Sequence, residues 1–307
     1  QLKPVFVDVD KNTYCANIEQ IKNKITKKTR AIVAPHLLGN LVDWEKISQL
    51  CKKNNIVIIE DSADTIGAKI RNKYIGLHTD ISITSFYGSH IINCAGNGGM
   101  ICFNNKKLYQ KAKLLRSWGR SSSLFDENSE KIENRFNIKL DGISYDKKFV
   151  FEEVGHNLEP SEIGAAFGLI QLKNLKKNIK RRIDVFNKHN NFFSKILDNF
   201  IIPESTPNST SAWLAYPLLI APGSKIQRKD LQIFLEKKNI QTRVIFTGNI
   251  LRQPGIKYLS SLKNKASTFI NSDYVMKNGI LIACHHGMSQ KMIDHVHSSF
   301  LDFLKKY

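Results

Sequence analysis

The sequence lacks the features that would tie it to a membrane or to a metal framework. Its five cysteines are an odd number and include no CxxC pair, which fits a reducing compartment and argues against zinc or disulfide frameworks. No apolar run approaches the roughly 18 residues of a membrane span, and the longest, 213–221, is interrupted by Pro217. Repeats and low-complexity tracts are also absent. We therefore expect a cytoplasmic protein with no membrane partner and no metal site.

Acidic residues are scarce relative to basic ones. The 307 residues include 46 lysines and arginines against 27 acids, a formal net charge of +19. Such an excess is typical of proteins with an anionic partner, either nucleic acid or a diphosphate-bearing substrate, but it also arises from the lysine-rich composition of AT-rich genomes. The lysines are spread along the chain, and the cluster 173–182 is predicted to be a solvated helix face. We expect no nucleic-acid partner and a local role for lysines near phosphate-rich ligands.

Strands alternate with helices through the first half of the chain. The hydrophobic pattern predicts helices over 18–29 and 44–54 and strands over 3–10, 31–34, 56–59, 81–86 and 99–103. The β-branched run 56–59 is typical of a strand buried on both faces of a parallel sheet. An α/β layered domain of this kind collects its ligands at the carboxyl ends of its strands. The acids and hydroxyls that follow these strands are therefore candidates for chemistry.

The pattern changes after a long amphipathic helix that begins near Ser161. Beyond Arg182 we predict strands over 213–220 and 242–246 and helices over 228–238 and from 291 onward. The change predicts two domains, a large one over 1–180 and a small C-terminal α+β domain over 181–307.

Three short motifs carry the functional information. They are Glu60-Asp61-Ser62-Ala63-Asp64, Ser85-Phe86-Tyr87-Gly88-Ser89-His90 and Ala95-Gly96-Asn97-Gly98-Gly99. Each alone is weak, since an acid after a strand is often a helix cap and a glycine-rich stretch is often a tight turn. In this order and spacing they resemble the sugar aminotransferase (DegT/StrS) family of pyridoxal phosphate (PLP) enzymes. The resemblance extends over essentially the whole chain, through the segments 35–40, 155–157 and 247–254.

The resemblance implies a fold and a cofactor site. The fold is the three-layer α/β/α aminotransferase fold (PLP fold type I), in which 1–180 binds the cofactor and the smaller domain follows. Family members begin with a further stretch that carries a glycine turn around the cofactor phosphate and an aromatic that stacks on the ring. Neither precedes the segment 3–10, so we expect the N-terminal part of the fold to be missing from this chain.

The family pattern also assigns roles to residues that match it. Asp61 matches the carboxylate that pairs with the pyridine nitrogen, and Ser85 matches the hydroxyl donor to the cofactor phosphate. Asn157 matches an asparagine that reaches the phosphate of the neighbouring subunit, which implies a homodimer. Asp64 stands where most members carry glutamine near the ring hydroxyl, and the dehydratase branch has aspartate there.

His90 is the main departure from the family pattern. The aminotransferases have a lysine here that binds the cofactor covalently, and imidazole has no primary amine to do so. The histidine-bearing branch, which includes GDP-4-keto-6-deoxymannose 3-dehydratase, holds the cofactor non-covalently as pyridoxamine phosphate (PMP). Histidine with a near-neutral pKa is suited to moving a proton. The alternative interpretation is a structural histidine in a decayed enzyme.

The resemblance therefore implies C3 dehydration of a nucleotide-diphosphate-linked 4-keto-6-deoxy sugar, with glutamate as amino donor, in the synthesis of deoxysugars for cell-surface lipopolysaccharide. One alternative is a nucleotide-sugar aminotransferase of the same family. Another is a non-catalytic relative that binds a nucleotide sugar or regulates a partner subunit.

Further residues are weaker candidates. Arg120, Arg243 and Arg252 are interpreted as ligands of the sugar diphosphate or of the glutamate carboxylate, because guanidinium groups bind both in a bidentate manner.

A sister group of dehydratases carries an iron–sulfur cluster on cysteines after a Trp-Gly-Arg segment, but here Arg120 is followed by serines. We therefore expect the cluster-free branch. The pair His285-His286 is interpreted as a pocket edge or packing, since no third ligand lies at zinc spacing.

Overall fold

The computed structural model describes residues 2–259 and 265–306. Its helices are α1 Ile18–Lys24, α2 Glu45–Lys53, α3 Lys106–Arg116, α4 Ile132–Arg135, α5 Glu162–Lys173, α6 Leu175–Phe193, α7 Arg228–Lys237, α8 Ile270–Asn278 and α9 Gln290–Leu304. Among the described residues no helix combines the length and the apolar character needed to cross a bilayer.

The strands form four sheets. They are β1 Ala31–Pro35, β2 Val57–Asp61, β3 Lys69–Ile70, β4 Lys73–Tyr74, β5 Ile81–Ser85, β6 Gly99–Phe103, β7 Ile138–Leu140, β8 Ile143–Tyr145, β9 Phe200–Ile201, β10 Ser209–Thr210, β11 Ala215–Ile220 and β12 Gly279–Ala283. The main sheet has the order β1-β2-β5-β6, in which the first three strands are parallel and β6 is antiparallel. Two further sheets of the described residues, β12-β11-β9 and β10-β3-β4, have three antiparallel strands each.

The two faces of the main sheet differ in what covers them. One face contributes Ala34 and Ile58 to a core with Ile47 and Cys51 of α2 and Ile21 of α1. The other face carries Asp61 and Ser85, together with apolar side chains that stay exposed, among them Val33 at 63% and Ile101 at 48%. The face that carries these two predicted site residues is thus the uncovered one.

The second core surrounds β11 and β12. It contains the buried strand residues Tyr216, Leu218 and Ile280, and it is closed by Leu231 of α7 and Phe300 of α9. Helix α6 also contributes to this core, through Val185, Phe186 and Phe193. Residue 180, where we predicted the domain boundary, lies inside α6, and the Ile179 side chain of this helix approaches Gly67, which follows β2.

The segment 3–10 does not form the predicted strand. It makes a single antiparallel bridge, between Val9 and Ala16. The Asp8 carboxylate instead accepts hydrogen bonds of 2.9 Å from the backbone N–H groups of Asn271 and Ser272, in the first turn of α8. A carboxylate is favoured there by the partial positive charge of a helix N-terminus. The predicted strand 242–246 is also absent, apart from one bridge between Arg243 and Leu281.

A buried network of hydrogen bonds joins the segment after β1 to β2 and β5. The Glu60 Oε1 atom accepts hydrogen bonds from the hydroxyls of Ser62 (2.9 Å) and Ser82 (2.7 Å), and Oε2 lies 3.4 Å from Nε2 of His36. The His36 Nδ1 atom accepts the N–H of Val42, so the neutral ring carries its proton on Nε2, facing Glu60. Burial raises the pKa of Glu60, but the His36 interaction and the two hydroxyls outweigh it and leave the pKa below its usual value.

We predict that Glu60→Gln lowers the free energy of unfolding at neutral pH by about 2 kcal/mol, because hydrogen bonds to a charged group are lost. A carboxyl with a lowered pKa stabilises the fold above its ordinary pKa, and that contribution disappears as the pH falls through the lower, folded-state value. Urea unfolding at neutral and acidic pH measures both effects. The exposed Glu127→Gln is the control, and equal losses in both variants would contradict the assignment.

Candidate active site

His90 lies in the loop that joins β5 to β6. The loop is closed by hydrogen bonds from Phe86 N to Gly98 O (2.9 Å) and from Cys94 N to Phe86 O (3.0 Å). It is anchored by Ile91 and Ile92, both of which are buried. These two apolar side chains leave His90 at the surface of the anchored turn, where its side chain is 17% exposed.

His90 and Asp64 form a close pair. The Nε2 atom of His90 lies 3.6 Å from Oδ1 of Asp64, and the other carboxylate oxygen accepts a 3.0 Å hydrogen bond from the N–H of Leu38. Asp64 is buried, and this burial raises its pKa above the usual value even though the charge of His90 opposes the shift. The Nδ1 atom of His90 is buried and has no hydrogen-bond partner among the residues that the structure describes. The structure thus brings together two of the residues predicted for the site.

Asp61 and Ser85 end two neighbouring parallel strands. Asp61 is opposite Ile83 in the register, and Ser85 lies two residues further on the same face, because side chains alternate along a strand. Both are half-buried. One Asp61 oxygen accepts the N–H of Ala63 at 3.0 Å, and the Ser85 hydroxyl oxygen accepts the N–H of Tyr87 at 3.2 Å. The hydroxyl proton of Ser85 is therefore free to be donated to a ligand.

Arg182 is a residue of this region that sequence reasoning misplaced. The lysine-rich stretch 173–182 was predicted to be solvated, but Arg182 is only 3% exposed. Its Nη1 atom donates to three main-chain carbonyls, those of Trp213 (3.2 Å), Leu214 (3.2 Å) and Cys284 (3.1 Å). Burial lowers its pKa, and the nearby charge of Asp64 opposes that shift. The buried positions of α6 recur every three or four residues and include Arg182, a signal that the charge composition hid.

Asn157 and Arg120 lie in a second group of segments. Residues 117–120 form bridges with residues 151–157, through the pairs Ser117–Asn157 and Arg120–Phe151. The Arg120 guanidinium stacks over the Trp118 ring at 4.4 Å. Asn157 is exposed, and its side-chain oxygen accepts only the N–H of Glu159 at 3.4 Å among the described residues. An exposed amide of this kind is available to a group outside its own chain.

The other arginine candidates occupy different environments. Arg252 makes a bidentate ion pair with Asp273, with two N–O distances of 2.5 Å, so the paired edge of its guanidinium is not available to a diphosphate. Arg243 is exposed and is placed by the backbone bridge to Leu281.

The histidine pair and the cysteines complete the survey of ligand-type side chains. His286 lines an open cavity of about 750 Å³ at the junction of α5 and α6, together with Lys177 and Lys180. Burial lowers the pKa of both His285 and His286. Within residues 2–259 and 265–306, no three histidine, cysteine or acidic side chains are grouped so as to hold a metal ion. All five cysteines are free thiols.

Comparison with known proteins identifies the family. Residues 1–301 match the DegT/DnrJ/EryC1/StrS aminotransferase family. The chain belongs to this family. The dTDP-4-dehydro-2,6-dideoxy-D-glucose 3-dehydratase of Saccharopolyspora spinosa is 32% identical over 307 residues, which are 99% of this chain and 66% of that protein. The chain thus spans just under two thirds of that relative's length.

Solved structures agree with the family assignment. The structure of E. coli GDP-4-keto-6-deoxy-D-mannose-3-dehydratase with bound hydrated PLP superimposes with a TM-score of 0.81 at 27% identity, over 96% of this chain and 73% of that one. A GDP-4-keto-6-deoxymannose-3-dehydratase with a trapped PLP-glutamate geminal diamine superimposes with a TM-score of 0.80 at 27% identity, over the same shares of each chain. The predicted family and the predicted PLP fold type I are confirmed.

The residues of the site fit the cofactor of this family. Asp61 provides a carboxylate and Ser85 a free hydroxyl proton on the same face of neighbouring strands. His90 has a buried ring nitrogen without a partner in the described part of the chain, and a buried polar atom of this kind requires a bonding group. The carboxylate suits a pyridinium nitrogen and the hydroxyl suits a phosphate, so the chemistry of the donor set matches PLP or PMP.

Proposed function

We propose that the protein is a PLP- and PMP-dependent enzyme that removes the C3 hydroxyl of a nucleotide-linked 4-keto-6-deoxy sugar. The observation that carries the proposal is the His90–Asp64 pair, with 3.6 Å between Nε2 and Oδ1. His90 supports the proposal because it can move a proton and has no primary amine, and because it matches the position where the family's aminotransferases have their lysine. That substitution favours dehydration over transamination.

The bound cofactor would supply an electron sink, which makes loss of a proton from the condensed substrate feasible. Asp61 would hold a proton on the pyridine nitrogen, because a carboxylate favours the charged form of a neighbouring base. Ser85 would donate its free hydroxyl proton to the cofactor phosphate. These two contacts would fix the ring between β2 and β5 without a covalent bond to the chain.

His90 would act as the general base. Its imidazole would accept the proton that the bound cofactor makes acidic, and the Asp64 carboxylate, 3.6 Å from Nε2, would stabilise the resulting imidazolium. The N–H of Leu38, which donates to the other oxygen of Asp64, keeps that carboxylate oriented toward the ring. The same ring would then give the proton to the C3 hydroxyl of the sugar, which leaves as water. One imidazole would thus serve both as base and as acid.

The substrate and amino donor of the proposal are supported by the relatives. Their names specify nucleotide-linked keto-sugars, and one relative was trapped with PLP and glutamate. We accordingly assign a nucleotide-diphosphate keto-sugar and glutamate as ligands of this cytoplasmic enzyme, with Arg120 and Arg243 as anion-binding candidates and Arg252 a weaker one because of its pairing with Asp273.

A homodimer with shared sites is part of the proposal. The exposed Asn157 lies between Val154, which is 96% exposed, and Leu158, which is 67% exposed. Helix α5 follows at once and exposes Ile163 at 80% and Ile170 at 55%. Exposed apolar surface of this extent next to a polar candidate ligand is typical of an interaction site. We infer that a second copy covers it and receives Asn157 at its cofactor phosphate.

His90→Asn is expected to reduce the dehydration rate by about 100- to 10,000-fold, the usual contribution of a positioned general base. Asparagine keeps a similar size but cannot take up the proton. The measurement is kcat on full-length protein loaded with cofactor, using mass spectrometry of a nucleotide 4-keto-6-deoxy sugar. His295→Asn, at an exposed position, is the matched control. Near-wild-type turnover of His90→Asn would favour the structural-histidine interpretation.

The cofactor is expected to leave the protein without the breaking of a covalent bond. Borohydride treatment of the loaded full-length protein should leave no pyridoxyl group on the chain, because His90 offers no primary amine. His90→Lys should acquire one, with a shift of the cofactor absorbance to longer wavelength and a loss of dehydration. Peptide mass spectrometry checks both proteins. A stable adduct on any lysine of the wild-type site contradicts the non-covalent assignment.

Disruption of the α5 surface is expected to separate the subunits. Ile163→Asp places a charge on the apolar face, so sedimentation of the full-length protein at micromolar concentration should show monomers with weakened cofactor binding. Ile270→Asp, at a position that is 73% exposed on α8, is the control and should leave the dimer intact. A wild-type monomer that binds cofactor tightly is the result that rules out shared sites.

A further inference from the structure

Helix α5 contacts the His90 loop through a face made of glycines. A Cβ atom built on Gly168 would lie 2.5 Å from Sγ of Cys94, and one on Gly164 would lie 3.1 Å from the Cys94 carbonyl oxygen. Ordinary van der Waals contact begins near 3.4 Å. The helix therefore approaches Cys94 more closely at Gly168 than any residue with a side chain allows.

Glycine is otherwise unfavourable at these positions. In a helix interior it costs about 1 kcal/mol relative to alanine. Gly164 and Gly168 are four residues apart, so they lie on the same face of α5, and both are buried, whereas Ile163 and Ile170 are exposed. The close approach to Cys94 is the structural gain that offsets this cost.

Cys94 is firmly connected to the rest of the loop. Its N–H donates to the Phe86 carbonyl at 3.0 Å, which closes the loop four residues after His90. A Cβ on Gly98 would lie 3.1 Å from the Cβ of Cys94, so the loop is also tightly packed on its own return strand. A displacement of Cys94 would therefore move the turn that carries His90 and not only the thiol.

We propose that Cys94, seated against Gly168, is the positioning residue that sets the height of His90 over the cofactor face of the sheet. The inference rests on the proposed function for the role of His90, while the contact itself does not. Cys94 touches no reacting atom, and it acts through the 86–98 loop. The proposed subunit interface lies on the other side of α5, so a second copy docked there would hold this helix against Cys94.

Gly168→Ala in the full-length protein tests this arrangement. The new methyl group would push the loop and the helix apart by roughly 1 Å, and a misplacement of that size costs about 100-fold in rate. We expect kcat to fall by about that factor with little change in KM. We also expect faster hydrogen exchange of the 90–95 amides in the cofactor-free protein. Cys94→Ala/Gly168→Ala removes the clashing thiol and should restore both measurements.

The controls separate this inference from the proposed function. Gly255→Ala adds a methyl group that meets no atom of the described residues within 4 Å, and it should change neither measurement. Cys94→Leu drives the same two groups apart from the loop side, and it replaces Gly168→Ala if that variant does not fold. Unchanged exchange in both enlarged variants, or no rescue in the double variant, overturns the proposal. A wild-type protein without dehydratase activity overturns the proposed function alone, since the exchange measurement still reports the contact.

Discussion

The register between β2 and β5 places Asp61 beside Ile83, and the geometry of the site depends on it. In that register Asp61 and Ser85 share one face of the sheet, while Glu60 and Ser82 meet on the other. A slip by one residue would exchange the two faces, burying Asp61 and exposing Glu60. The hydrogen bond from Ser82 to Glu60 forms only in the observed register. The position of Glu60 on the covered face thus also fixes the position of Asp61, the candidate cofactor ligand, on the open face.

The chemistry of the site depends on local charges and not on the charge of the whole chain. The chain carries a formal net charge of +19, yet the group next to His90 is the buried Asp64 carboxylate. At short range and low solvent exposure one carboxylate influences an imidazole more than many distant, solvated lysines do, because salt and water screen the latter. The buried Arg182 also acts on Asp64: its positive charge lowers the pKa of this carboxyl, whereas burial raises it.

The sequence predicted the surroundings of the candidate site where they depend on strand ends. Asp61 and Ser85 end two adjacent parallel strands, and Asp64 and His90 lie in the loops that follow, so any sequence that forms the sheet brings these segments together. The roles of the four residues come from the family resemblance and stay predictions. Contacts set by tertiary packing were not predictable in this way. The burial of Arg182 is hidden by the lysines around it. The seat of Cys94 on Gly168 joins residues that share no periodicity. The alternation of apolar and polar residues in 3–10 wrongly predicted a strand. Asp8 instead binds this segment to the first turn of α8, and no strand among the described residues pairs with it.

The three carbonyl contacts of Arg182 restrict how the two halves of the molecule move. They tie α6 to the start of β11 and the end of β12. Because residue 180 lies inside this helix, a hinge at the predicted boundary would have to break the helix itself. Any opening and closing that accompanies ligand exchange at the candidate site is therefore expected in the loops around it, with α6 and the sheet β12-β11-β9 moving as one body.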